Sequence, residues 1–185
     1  FRMMSGSISS DNRWLAAATD TGTLKIWALY DWQSSVAATL SETDQEVFSQ
    51  RGDYFACILD SALQVFSTEA PTRSLFSEPA HSSDLLIKAM EENWVAWQPD
   101  VSNLMFTNWR TGQKWTLPVD EGKDSYFPVA FDDTGLYAAY AVRPDSVVVV
   151  SLKNGGVRSG HYFNGEILHL RFVPGSGELI VIQSV

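Results

Sequence analysis

Hydrophobic and polar positions along the chain fall into short runs separated by turn residues. Between Arg13 and Leu29, Trp14, Leu15 and three alanines lead into Thr19-Asp20-Thr21-Gly22. Leu24, Ile26 and Trp27 follow, with polar Thr23 and Lys25 between them. An apolar run, an Asp/Thr/Gly turn and an alternating run predict a β-hairpin.

The same unit recurs. Trp14-Leu15-Ala16 is echoed by Tyr54-Phe55-Ala56, Trp94-Val95-Ala96 and Leu136-Tyr137-Ala138, and more weakly by Leu179-Ile180-Val181. The third residues of these triplets stand 40, 40, 42 and 43 positions apart. A period of roughly 40–45 residues with room for four strands is the signature of a β-propeller. The predicted fold is therefore all-β, with four-stranded antiparallel blades over residues 1–40, 41–80, 81–120 and 121–164 and a half blade over 165–185. Four and a half blades do not close a ring. The expectation is a piece of a longer chain, with the remaining blades or another chain covering the open edges.

Within each unit the turn residues place the strands. Ser9-Ser10-Asp11-Asn12, Arg51-Gly52-Asp53, Glu91-Glu92-Asn93 and Asp132-Asp133-Thr134-Gly135 separate first from second strands. Second strands then meet third strands at turns expected around Asp20, Asp60, Pro99-Asp100-Val101-Ser102 and Asp145. The valine run Val147–Val150 suits a strand buried on both faces. Arg51-Gly52-Asp53 has the composition of a cell-adhesion tripeptide, but it falls where every unit needs a turn.

Several of these segments resemble WD40 repeats. The hairpin ending at Trp27 is similar to the middle of such a repeat. Thr107-Asn108-Trp109-Arg110-Thr111-Gly112-Gln113 resembles its Trp-Asp-Leu-Arg-Thr-Gly-Gln ending, with Thr in place of Trp and Asn in place of Asp. Phe131-Asp132-Asp133-Thr134-Gly135 is similar to the Phe-Ser-Pro-Asp-Gly of bacterial propellers, and Gly160-His161 to the dipeptide that links one blade to the next. The resemblance implies that Trp27, Thr19, Gly160 and His161 are structural signature residues. In that family a Trp, a Ser or Thr, a turn Asp and a His form a buried hydrogen-bond network. Blade one retains only Trp27 and Thr19 of it, so apolar packing is expected to hold that blade.

Composition narrows the function. With 13 Lys and Arg against 22 Asp and Glu, the net charge is −9, which disfavours nucleic acid. No apolar run is long enough for a membrane span. Phe1-Arg2-Met3-Met4 leads straight into a polar strand, so no secretory leader is expected and an intracellular, cytoplasmic location is. Cys57 is the single cysteine and reads as a small hydrophobe between Ala56 and Ile58. No nucleophile elbow, Walker loop, Cys-x-x-Cys or His-x-x-x-His occurs, so no catalytic residue, cofactor or metal is assigned. Asp132 and Asp133 are too few oxygens for a cation site.

What remains is a non-catalytic protein-interaction scaffold, the role the resemblance implies. A regulatory propeller module of a larger signalling ATPase or kinase, or a propeller enzyme with its chemistry outside this segment, are the alternatives. The candidate binding residues are Asp20, Asp60, Asp100 and Asp145. Each lies in the turn between second and third strands, where an arc of negative charge would attract a basic segment of a protein partner.

Overall fold

The computed structural model describes residues 3–19, 23–31, 33–39, 46–49, 51–59, 61–79, 85–119 and 127–184. Among them there is no helix. Blade one pairs β1 (Met3–Ile8), β2 (Trp14–Thr19), β3 (Thr23–Ala28) and β4 (Gln33–Thr39). Blade two pairs β5 (Glu46–Phe48), β6 (Tyr54–Leu59), β7 (Ala62–Ser67) and β8 (Ser74–Pro79). Blade three pairs β9 (Leu86–Met90), β10 (Trp94–Asp100), β11 (Asn103–Asn108) and β12 (Lys114–Pro118), and blade four β13 (Val129–Phe131), β14 (Tyr137–Arg143), β15 (Ser146–Ser151) and β16 (Val157–Tyr162). A half blade follows as β17 (Ile167–Phe172) and β18 (Leu179–Gln183). Every sheet is an antiparallel meander in chain order.

The sheets stand face to face as the arc of a β-propeller. Their first strands pack in succession, β1 against β5, β5 against β9, β9 against β13 and β13 against β17, so these lie innermost. Side chains alternate across a strand, so each second strand supplies both of its neighbours. Phe55, Cys57 and Leu59 of β6 pack with Ala16, Leu24 and Ile26 of blade one. Ala56 and Ile58 of the same strand pack with Met90, Val95 and Trp97 of blade three. Trp94 and Ala96 then turn to the seam with blade four, where Phe106 meets Phe131 edge-on at 5.9 Å. Burying one such large apolar side chain contributes about 1.5–3 kcal/mol. The half blade follows the same rule. Ile167, Leu170 and Phe172 are buried against blade four, whereas Leu168, Ile180 and Ile182 on the other face are about half exposed.

Four details differ from the sequence expectation. β10 continues through Pro99 and Asp100, expected in the turn, because a register shift between Trp97 and Asp100 leaves the proline, which has no N–H, out of the ladder. Pro71 and Pro79 punctuate an outer strand that the sequence places at Arg73 to Phe76, whereas β8 runs on to Pro79. In β15, Val147 and Val150 are buried while Val148 and Val149 are only half-buried against the core. The largest difference is Gly160-His161. The long β15 keeps pairing as far as Ser146 with Tyr162, and this carries β16 past His161. The dipeptide is therefore inside an outer strand instead of a link, and the exposed imidazole makes no hydrogen bond among the described residues.

Turns that join first to second and third to fourth strands lie at one rim, here the lower rim. Turns between second and third strands, and the links between blades, lie at the upper rim. At the lower rim, Trp115 of blade three donates its indole N–H to the Leu152 carbonyl of blade four (2.8 Å) and covers Gly155. A Cβ on Gly155, whose φ is +67°, would come within 2.6 Å of that ring. Gly112 has a φ of +74° and open space around it. Gly112→Ala is expected to cost the left-handed backbone alone, about 1–2 kcal/mol. Gly155→Ala adds a displaced tryptophan and is expected to cost about 1–3 kcal/mol more. Urea unfolding of the two variants checks this, and equal losses would contradict it.

Candidate interaction surfaces

The lower rim is knitted from blade to blade by polar contacts. Blade one's turn places Asp11 to accept hydrogen bonds from the Ser9 hydroxyl (2.6 Å) and from Arg13. Partial burial works to raise the Asp11 carboxyl, but these hydrogen bonds outweigh it and hold it below the usual carboxylate range. Arg13 reaches on to Asp53 Oδ1 (2.9 Å) and the Arg51 carbonyl (3.1 Å) of blade two. The Arg51 backbone N–H donates to Glu92 Oε1 of blade three (2.9 Å). Gly175 of the half blade donates its N–H to Asp133 Oδ2 of blade four (2.8 Å). Arg51-Gly52-Asp53 is thus built into the rim. Its Gly52 is buried, and an added Cβ would meet Asp11 Oδ1 at 2.8 Å.

The neighbouring aspartates of blade four part company. Asp132 Oδ1 accepts the backbone N–H groups of Leu136 (2.9 Å) and Tyr137 (2.8 Å) and its other oxygen accepts the Thr134 hydroxyl, while Asp133 is turned to Gly175. Among the described residues no group of three or more His, Cys, Asp or Glu side chains gathers as metal ligands. No helix among them is long and apolar enough to cross a membrane.

A buried polar relay joins blades two and three. The Trp97 indole N–H donates to the Thr107 hydroxyl (3.0 Å), Thr107 stands 3.5 Å from Glu78 Oε2 of blade two, and Glu78 pairs with Lys114. The resemblance sets Trp in the third strand. Here Thr107 takes that place and accepts the indole N–H of Trp97 from the second strand. Nothing in the one-dimensional pattern pairs these residues, because their contact depends on the diagonal register of β10 on β11.

At the upper rim, Asp100 ends β10. Its carboxylate accepts the Ser102 backbone N–H (2.9 Å) and the Asn103 side-chain amide (2.9 and 3.1 Å), which is turn chemistry that leaves it half exposed. Asp145 is exposed in the equivalent turn of blade four, and its carbonyl accepts the Phe163 N–H (2.8 Å). Asp20 and Asp60 lie outside the described residues, as does the Thr19 side chain; Thr19 itself ends β2. Trp27 is half-buried in β3. Those of the signature and rim residues that are described do not converge on one site.

Sequence reasoning missed a groove at the lower rim between blades two and three. Tyr54, Ser67, Leu75, Trp109 and Arg110 line about 530 Å³ of open space. The Arg110 guanidinium lies over Trp109, 4.4 Å from its ring centre, and 5.0 Å from that of Tyr54. It donates to the Tyr54 hydroxyl at 2.7 Å. Trp109 is fixed by its indole N–H on the Glu92 carbonyl (3.0 Å).

No family model matches the chain, and no curated protein does. Among solved structures, the chain is similar to the β-propeller domain of Myceliophteria thermophila Cps50 (Swd1), with a TM-score of 0.65 at 13% sequence identity. The match covers 98% of this chain and 62% of the other, so this chain spans under two thirds of that propeller's length. The likeness is one of fold: about four and a half blades of a WD40-like β-propeller.

One lower-rim group titrates near neutrality. Burial of the Glu91 carboxyl, reinforced by Glu92 and Asp132 and opposed by Arg51, raises it from an ordinary 4.5 to about 7. A carboxyl with a raised folded-state value takes up a proton on folding between these limits. The stability it contributes is full below pH 4.5 and is lost as pH rises to about 7. Glu91→Gln removes this loss. Relative to wild type, the variant is expected to gain stability steadily from about pH 4.5 to 7 and to keep a constant advantage above. Urea unfolding across this range checks it, and a pH-independent difference would contradict the assignment.

Proposed function

We propose that the chain is a non-catalytic protein-interaction scaffold whose upper rim receives a basic segment of a partner. A rigid stack of blades carrying short exposed turns suits binding, because the scaffold absorbs the ordering cost and the turns supply the contacts. The observation that carries the reading is the equivalence of Asp100 and Asp145, surface acids in corresponding turns of adjacent blades. Asp20 and Asp60 occupy the matching sequence positions one and two units earlier, each 40 residues before the next. Three acids at a 40-residue step, and a fourth in the corresponding turn of the next blade, on a chain of net charge −9 favour encounter with a cationic segment at low ionic strength.

Each exposed ion pair contributes about 0–1 kcal/mol, so a single substitution is expected to change little. Asp20→Asn, Asp60→Asn and Asp100→Asn together are expected to slow association of a Lys/Arg-rich peptide several-fold at low salt and to flatten its salt dependence, with the far-ultraviolet circular dichroism unchanged. Stopped-flow binding at several salt concentrations measures this. An unchanged low-salt rate would reduce the acids to turn residues.

A further inference from the structure

We propose that the groove between blades two and three is a second binding site, for a partner peptide in which a Glu or Asp carboxylate meets Arg110 and an adjoining apolar side chain lies on Leu75. Three observations lead there.

The first is the state of Arg110. Among the described residues no carboxylate lies within ion-pair distance of it. Its single side-chain hydrogen bond there, from Nη2 to the Tyr54 hydroxyl, leaves most of a guanidinium's five donors unused. The second is preorganisation. Tyr54 and Trp109, with ring centres 4.9 Å apart, both pack against the guanidinium, and Trp109 is itself hydrogen-bonded to the Glu92 carbonyl. A long side chain already stacked loses little further entropy when it grips a ligand. The third is the wall. Leu75 is 47% exposed at the start of an outer strand, and Ser67 offers a hydroxyl beside it. An apolar surface next to a fixed cation matches an acidic residue followed by a hydrophobic one.

Charge selects carboxylate over phosphate. The groove is lined by one cation, whereas phosphate sites recruit clusters of arginine. One planar guanidinium matches one planar carboxylate, and a dianion would meet more of the repulsion of a chain of net charge −9. The comparable stack in blade four, Arg158 donating to the Tyr137 hydroxyl (2.7 Å), takes no part in lining this groove and serves as a control.

The test is selection of a displayed random heptapeptide library on the whole chain, followed by affinity measurement of the enriched peptides. Beside basic peptides taken by the upper rim, a second enriched class is expected to carry Glu or Asp next to Leu, Ile or Phe. Arg110→Gln is expected to weaken these acidic-apolar peptides about tenfold or more. Arg110→Lys, which keeps the charge and loses the fork, is expected to weaken them less, and Arg158→Gln not at all. Tyr54→Phe, which only releases the guanidinium from its hydroxyl, should fall between wild type and Arg110→Gln. Variants lacking Asp20, Asp60 and Asp100 should bind these peptides undiminished, which separates this site from the upper rim. No enrichment of such acidic-apolar peptides, equal loss in Arg158→Gln, or displacement by millimolar inorganic phosphate would each overturn the proposal.

Discussion

Everything in this fold depends on sheets packing face to face through strands that serve two interfaces at once. β6 is the clearest case. Phe55, Cys57 and Leu59 are spent on blade one, and Ala56 and Ile58 on blade three. Such a strand has no solvent face, so its sequence is a nearly unbroken apolar run, and small residues stand where the sheets approach closely. No blade has a core of its own. Each is stable only between neighbours, which is the logic of repeat architectures, where stability is a sum of nearest-neighbour terms.

Polar groups then tie the seams at places where apolar packing ends. Arg13 with Asp53, and Arg51 with Glu92, fasten successive turns at the lower rim. Glu78 with Lys114 and Thr107 does so further out, in a partly dehydrated setting. These contacts also occupy the lower-rim acids, which is why Asp53, Glu92 and Asp133 are structural fasteners while Asp145, on the upper rim, is left facing solvent. The two rims of one acidic protein thus have different chemistry: fastened turns below, and turn acids above.

The fold was legible in the sequence because its signals are local. Trp14-Leu15-Ala16 and its echoes each mark a second strand, and Gly52, Gly112 and Gly135 sit at turns with positive φ, where glycine is least strained. What the sequence hid depends on contacts between distant residues. Gly160-His161 has the letters of a blade link, but the length of β15 decides where β16 ends. The indole that bonds Thr107 comes from Trp97 in the second strand, so a search for Trp in the third strand passes over both. Arg110 reads as an ordinary turn residue, and its partner Tyr54 is 56 positions away, brought beside it only when blades two and three close their seam.

The double duty of β6 limits where chain length can vary. One residue added between Tyr54 and Phe55 would exchange the two sets of side chains, sending Phe55 and Cys57 towards blade three and Ala56 and Ile58 towards blade one. Both seams would be mismatched by a single insertion. An added residue in a turn or link changes neither. Drift in repeat length, here from 40 to 43 residues, is therefore taken up in loops and in bulges such as that between Ala141 and Arg143, and the surfaces free to diversify are those that packing leaves alone.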